Sequence, residues 1–273
     1  MQTQDNLQEK LLEFIPPVIA AIFHENNIDF ELANNCPSFY FVDSSQYGEQ
    51  IKSIDPDEDY TNEEEYTGMG KFISKDNKFH IVINSMLLQC LIESEFKNVI
   101  SKYTIIHELG HWVNEIHTPE YRAGKKPKTK ISLRHGAEYL ISVFIDEYMA
   151  NNYIVFLFSE KSCKEILLNN TLYNDLENIY FNISDPFDLY TRFWNSPNSI
   201  FKNMISNIPF IQRNGGFKNT NILEILNINK IISILSDPQI QVDILLNHLI
   251  DTFNIIVHNY NSTNPIFIQK YIL

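Results

Sequence analysis

Residues 107–111 of this 273-residue chain read HELGH, and two histidines four positions apart can act together if the segment is helical. On an α-helix, residues at that spacing stack on one face, so the imidazoles of His107 and His111 can reach a single cation. Ile105, Ile106 and Leu109 flank them, and Gly110 is small enough for close packing. The apolar periodicity predicts a helix from Glu93 to about Ile116.

The same spacing carries chemistry. Zinc suits the donor set, because two neutral imidazoles and a carboxylate leave a fourth position for a water that the ion acidifies. Glu108, beside the first histidine, points toward that position and is the expected general base. It would take a proton from the zinc-bound water and deliver it to the leaving amine of a cleaved peptide. The motif therefore predicts a zinc-dependent metallopeptidase acting on a protein or peptide substrate. A non-catalytic, zinc-containing regulatory or interaction protein is the alternative, although such a scaffold has no need of Glu108.

Two ligands are too few, and the sequence offers two candidates for the third. Glu147 lies in IDEYMANNY, on a second predicted helix from about Leu133 to Phe158, where Leu140, Phe144, Glu147 and Asn151 share one face. A carboxylate on that apolar stripe is costly without a cation. His117 is the second candidate, since HELGHWVNEIH has a third histidine six residues after His111, as in the HExxHxxGxxH pattern of metzincins. Asn114 stands where that pattern has its turning glycine, and no Met-turn is evident. Glu147 is the favoured ligand, with His117 left open. Asp146 and Glu138 fit the face less well.

Elsewhere, Asp5 is placed to cap a first amphipathic helix, broken or kinked at Pro16-Pro17. Ile28 to Leu32 and Phe39 to Val42 read as extended. Thr67 to Ser74 and Lys78 to Asn84 read as a hairpin around Lys75-Asp76-Asn77. The acidic segment from Asp55 to Glu65, with seven carboxylates, reads as a solvated loop rather than a cation site. Beyond Phe158 only helices are expected, over about 161–167, 172–182, 186–206, 222–235 and 238–259. The expected fold is α+β: a zincin-like catalytic domain over 1–158, with a small mixed sheet and the HExxH helix, followed by an all-α C-terminal region over 159–273.

The upstream strand, the HELGH helix and the helix bearing Glu147-Tyr-Met-Ala150-Asn151 resemble the ImmA/IrrE family of bacterial and phage zinc peptidases, over about residues 66–158. That resemblance implies metal binding by His107, His111 and Glu147, catalysis by Glu108, and a regulatory protein as substrate. The connection between the two helices is longer and more basic than the family pattern, and the C-terminal half is unmatched.

A net charge of −13 disfavours whole-surface nucleic-acid binding. The basic stretch Arg122, Lys125, Lys126, Lys128, Lys130 and Arg134 is expected to be solvated or to meet acidic groups. Cys36, Cys90 and Cys163 are odd in number and lack CxxC spacing, which points to a reducing compartment. The N-terminal stretch is acidic and holds a double proline, unlike a secretory signal, and no apolar run reaches the roughly 18–20 residues of a membrane span. A cytoplasmic protein with no membrane partner is expected.

Overall fold

The computed structural model describes residues 4–58, 69–123, 133–169, 193–194, 199–215, 227–237 and 239–259. The carboxylates from Asp59 to Glu65, Lys125 to Lys130, and the helices expected over 172–182, 186–192 and 222–226 lie outside them. The described part is α+β, with one small mixed sheet and otherwise mostly helices. None of these helices is long and apolar enough to cross a membrane. By its internal contacts the chain divides into two units, Met1–Glu120 with Met149–Ile166, and Tyr121–Tyr148 with Leu167–Leu273.

In the first unit, α1 (Gln4–Glu25) buries Leu11, Ile15, Val18, Ile19 and Ile22, one helical stripe. It runs through Pro16 and Pro17 without the break that was one expectation there. The prolines take donors away from the carbonyls of Leu12 and Glu13, which lie on the exposed side where water can replace them. Asp5 lies inside this helix and is not its cap. Ile28 to Leu32 is not extended either. Asp29 Oδ1 accepts from the Glu31 amide at 2.9 Å and starts a 3₁₀ turn over Phe30–Asn35, with Phe30 and Leu32 exposed.

Three strands follow, β1 (Ser38–Val42), β2 (Gly70–Lys75) and β3 (Lys78–Asn84), in the order β1-β3-β2. β3 is central, parallel to β1 and antiparallel to β2. The β2–β3 turn is Asp76-Asn77, both with positive φ (51° and 59°), the backbone that a two-residue hairpin demands. Tyr47 and Ile51 of α2 (Tyr47–Ile54) pack with Ile73 and Val82 on one sheet face. Phe72, Ile81 and Ile83, on the other face by strand alternation, are buried too. The start of the acidic segment is not a solvated loop: Asp55 is fully buried and pairs with Lys75 at 3.2 Å, and Glu58 pairs with Lys71 at 2.8 Å.

The helix expected from Glu93 starts later, at Val99, as α4 (Val99–His117), and a separate helix, α3 (Ser85–Glu93), ends where it was expected to begin. Glu95 and Phe96 take positive φ between them, and the Asn98 side chain caps α4 by accepting from the Ser101 amide at 3.0 Å. α4 packs against β2, β3 and α3, and Trp112 stacks on Phe23 of α1. The second motif helix is α5 (Leu133–Ile154), which passes into a 3₁₀ turn over Val155–Leu157. The division between the units falls inside α5. α6 (Glu160–Asn169) follows.

The described residues of the second unit are helical. α7 (Ile200–Arg213) starts at its Ser199 cap and continues past the expected end at Ser206. α8 (Ile228–Leu235) and α9 (Val242–Asn259) complete the described elements. The core here is aromatic: Trp194 meets Phe201 edge-on at 4.9 Å and approaches Phe144 and Phe253.

Candidate metal centre

Helix α4 carries His107, Glu108 and His111 on a turn whose apolar neighbours Ile105, Ile106 and Leu109 are fully buried. The two imidazoles stand edge to face, with ring centroids 4.7 Å apart, as the four-residue spacing dictates. Gly110 explains how another helix comes so close. A Cβ there would lie 2.3 Å from the Ala150 carbonyl oxygen, so only glycine allows the backbones of α4 and α5 to meet at this point.

That crossing delivers Asn151. Its Oδ1 lies 2.8 Å from His107 Nδ1 and also accepts from the Tyr103 hydroxyl at 3.2 Å. An amide oxygen can only accept, so His107 carries its proton on Nδ1 and keeps the Nε2 lone pair for a metal. Glu147 precedes Asn151 by one turn on α5. His107, His111 and Glu147 form a group that could hold a metal ion: one ligand atom from each lies within 4.8 Å of the others. Zinc with donors at about 2.0–2.1 Å needs tetrahedral neighbours about 3.3 Å apart, so the three fit after a small inward movement.

Glu147 has a cation beside it in the structure, the ammonium of Lys202 on α7, at 3.1 Å from Oε1. The largely buried carboxylate thus has a protein counter-charge as well as a place in the group that could hold a metal. Burial pushes the adjacent Tyr148 phenol above its ordinary pKa.

Glu108 is buried, and its Oε2 accepts from the Phe72 amide of β2 at 2.7 Å. Gly70 on the same strand leaves the room the carboxylate occupies.

His117 is not in the group of converging ligands. Asn114 continues the helix instead of turning it, and its carbonyl accepts from the Thr118 amide at 3.0 Å. The His117 ring stands against Tyr153, centroids 6.0 Å apart. Asp146 is occupied by Arg122, whose Nη1 lies 2.7 Å from Oδ1, so this arginine of the basic stretch serves an internal pair.

Protein-family models, curated proteins and solved structures gave no match to this chain. The reading of the site therefore rests on its own residues. Sequence reasoning overlooked four contributors. Asn151 was detectable as the residue one turn after Glu147, and Tyr103 as the residue one turn before His107. Gly70 and Lys202 have no local signal, because sheet packing and the chain's return bring them in.

Proposed function

We propose that the chain is a zinc-dependent metallopeptidase of the zincin type, acting on a protein or peptide substrate. The observation that carries this reading is the convergence of His107, His111 and Glu147 with the buried Glu108 on the same helical turn. A bound zinc supplies acidification of water and polarisation of the scissile carbonyl. Glu108 takes the proton that the attacking water loses and passes it to the amine nitrogen as the C–N bond breaks. Asn151 fixes the His107 tautomer and ring plane. Among the described residues β2 is a sheet edge, where an extended substrate can add by backbone pairing.

The ImmA/IrrE resemblance agrees with this ligand set and suggests a regulatory protein as the substrate. None of Cys36, Cys90 and Cys163 is in a disulfide, and the cytoplasm is the proposed compartment.

Elemental analysis should find about one zinc per chain, lost in His107→Ala/His111→Ala. Glu108→Gln should keep the zinc and lose hydrolysis of a quenched-peptide pool by orders of magnitude. Stoichiometric zinc in the double variant rejects the site. Zinc retained with no hydrolysis by the wild type supports the non-catalytic alternative.

A further inference from the structure

We propose that the outer edge of β2, which pairs with no further strand among the described residues, is a clamp for Glu108, with the Phe72 amide and the bare Cα of Gly70 as its two jaws. The inference rests on the peptidase reading and adds two positioning residues to it. They act through Glu108 and touch no reacting atom.

The hydrogen-bond pattern of the hairpin sets the first jaw. The Asn84 amide donates to the Met69 carbonyl at 3.0 Å, one step beyond the Gly70–Ile83 pair. Alternation along an antiparallel ladder then assigns residues 69, 71, 73 and 75 to bonding with β3, and turns the amides of Gly70, Phe72 and Ser74 to the outer edge. Such outward amides ordinarily meet water or a paired strand. Phe72 instead donates to Glu108 Oε2 at 2.7 Å, the length of a bond to a charged acceptor, with both residues buried.

Gly70 sets the second jaw. A Cβ there would lie 2.9 Å from Glu108 Cγ, 3.1 Å from Oε1 and 3.3 Å from Cδ. Glu108 is anchored in α4 at one end and held by Phe72 at the other, so it has little freedom to yield. Glycine at position 70 is therefore required by the carboxylate. Its φ lies outside the left-handed region, and no turn demands it.

The arrangement fixes the Glu108 rotamer before substrate arrives, which is what a general base needs to work at short range. It engages Oε2 and leaves Oε1 to exchange the proton. It also withdraws the Phe72 donor from the pairing an extended substrate makes along this edge, so the substrate must bond at the flanking residues.

The test uses the full-length protein labelled with ¹⁵N-phenylalanine, with the Phe72 resonance assigned by its loss in Phe72→Leu. The Phe72 amide proton should lie far downfield and exchange slowly, and Glu108→Ala should remove both properties while the Phe41 and Phe79 amides stay in place. Gly70→Ala should move the Phe72 amide toward its Glu108→Ala position, retain one zinc per chain, and lower kcat on a cleaved peptide by about a hundredfold with KM unchanged. Ser53→Ala, exposed on α2 and away from this edge, should leave the amide and kcat as in wild type. A Phe72 amide that exchanges like an exposed one and ignores Glu108→Ala overturns the clamp, even if Gly70→Ala fails to fold. Wild-type kcat in folded Gly70→Ala overturns the positioning role. An intact amide response in a protein that hydrolyses no peptide overturns the peptidase reading and leaves the clamp standing.

Discussion

An imidazole binds a metal through one nitrogen, and what the other nitrogen does decides how well. His107 donates from Nδ1 to Asn151 Oδ1 at 2.8 Å, which fixes the tautomer and holds the ring in its plane. Asn151→Leu keeps the volume and removes the acceptor, so zinc affinity should fall by about 10–100-fold, whereas Asn151→Asp keeps an acceptor and should fall less. Competition against a chelating dye measures both, and wild-type affinity in Asn151→Leu would reject the role. The choice of third ligand in the proposed site is tested at the same scale. Glu147→Ala should weaken zinc binding far more than His117→Ala, because it removes a bond and a compensating charge from the converging group, while His117 only stands against Tyr153. A larger loss in His117→Ala would restore the metzincin-like alternative. The core of this site is legible in the sequence because helical spacing relates His107 to His111 and places Glu147 one turn before Asn151. Which of Glu147 and His117 joins the histidines depends on whether the chain turns at Asn114, and that residue simply continues α4.

At the scale of elements, the site exists because two helices cross at Gly110 and Ala150. In an exposed helix, glycine to alanine typically stabilises by about 1 kcal/mol. Here the added methyl would sit 2.3 Å from a backbone oxygen, and a carbonyl in a buried helix cannot swing aside like a side-chain end. Gly110→Ala should therefore destabilise by about 1–3 kcal/mol and weaken zinc binding, since it pushes Asn151 and Glu147 away from the histidines. Thermal melting of the zinc-free protein and a zinc titration check the two effects, and a more stable variant with unchanged affinity would contradict the crossing. The elements that sequence periodicity placed well are those with a complete local signal, such as the β2–β3 hairpin around Asp76-Asn77 and the stripe of α1. It erred where a local competitor overrode the pattern: Asp29 winding Phe30–Asn35 into a turn, and the positive-φ residues Glu95 and Phe96 keeping α4 from starting at Glu93. Asp55 was misread because its partner Lys75 lies across a stretch of sequence that no periodicity spans.

For the whole molecule, the acidic balance of −13 matters less than where single charges meet. The C-terminal region carries no motif, yet its helix α7 supplies Lys202 to the carboxylate proposed to bind zinc. Both side chains are about three-quarters buried, at 25% and 22% relative exposure, so the pair is only partly screened by solvent. On that proposal zinc and the ammonium would be rivals for Glu147: a dication brought beside it would repel Lys202 and have to share or displace it. Lys202→Met keeps most of the packing stem and removes the charge. Without zinc, the variant should melt below the wild type, because Glu147 has lost this counter-charge. With zinc in excess, its melting temperature should rise by more than that of the wild type, since ligand stabilisation grows with affinity and the rival cation is gone. Differential scanning calorimetry of both proteins, chelator-treated and zinc-loaded, gives the two shifts. A smaller zinc-induced rise in Lys202→Met would mean that the lysine steadies Glu147 for the metal instead of competing with it, and would overturn this account of the C-terminal region's contribution.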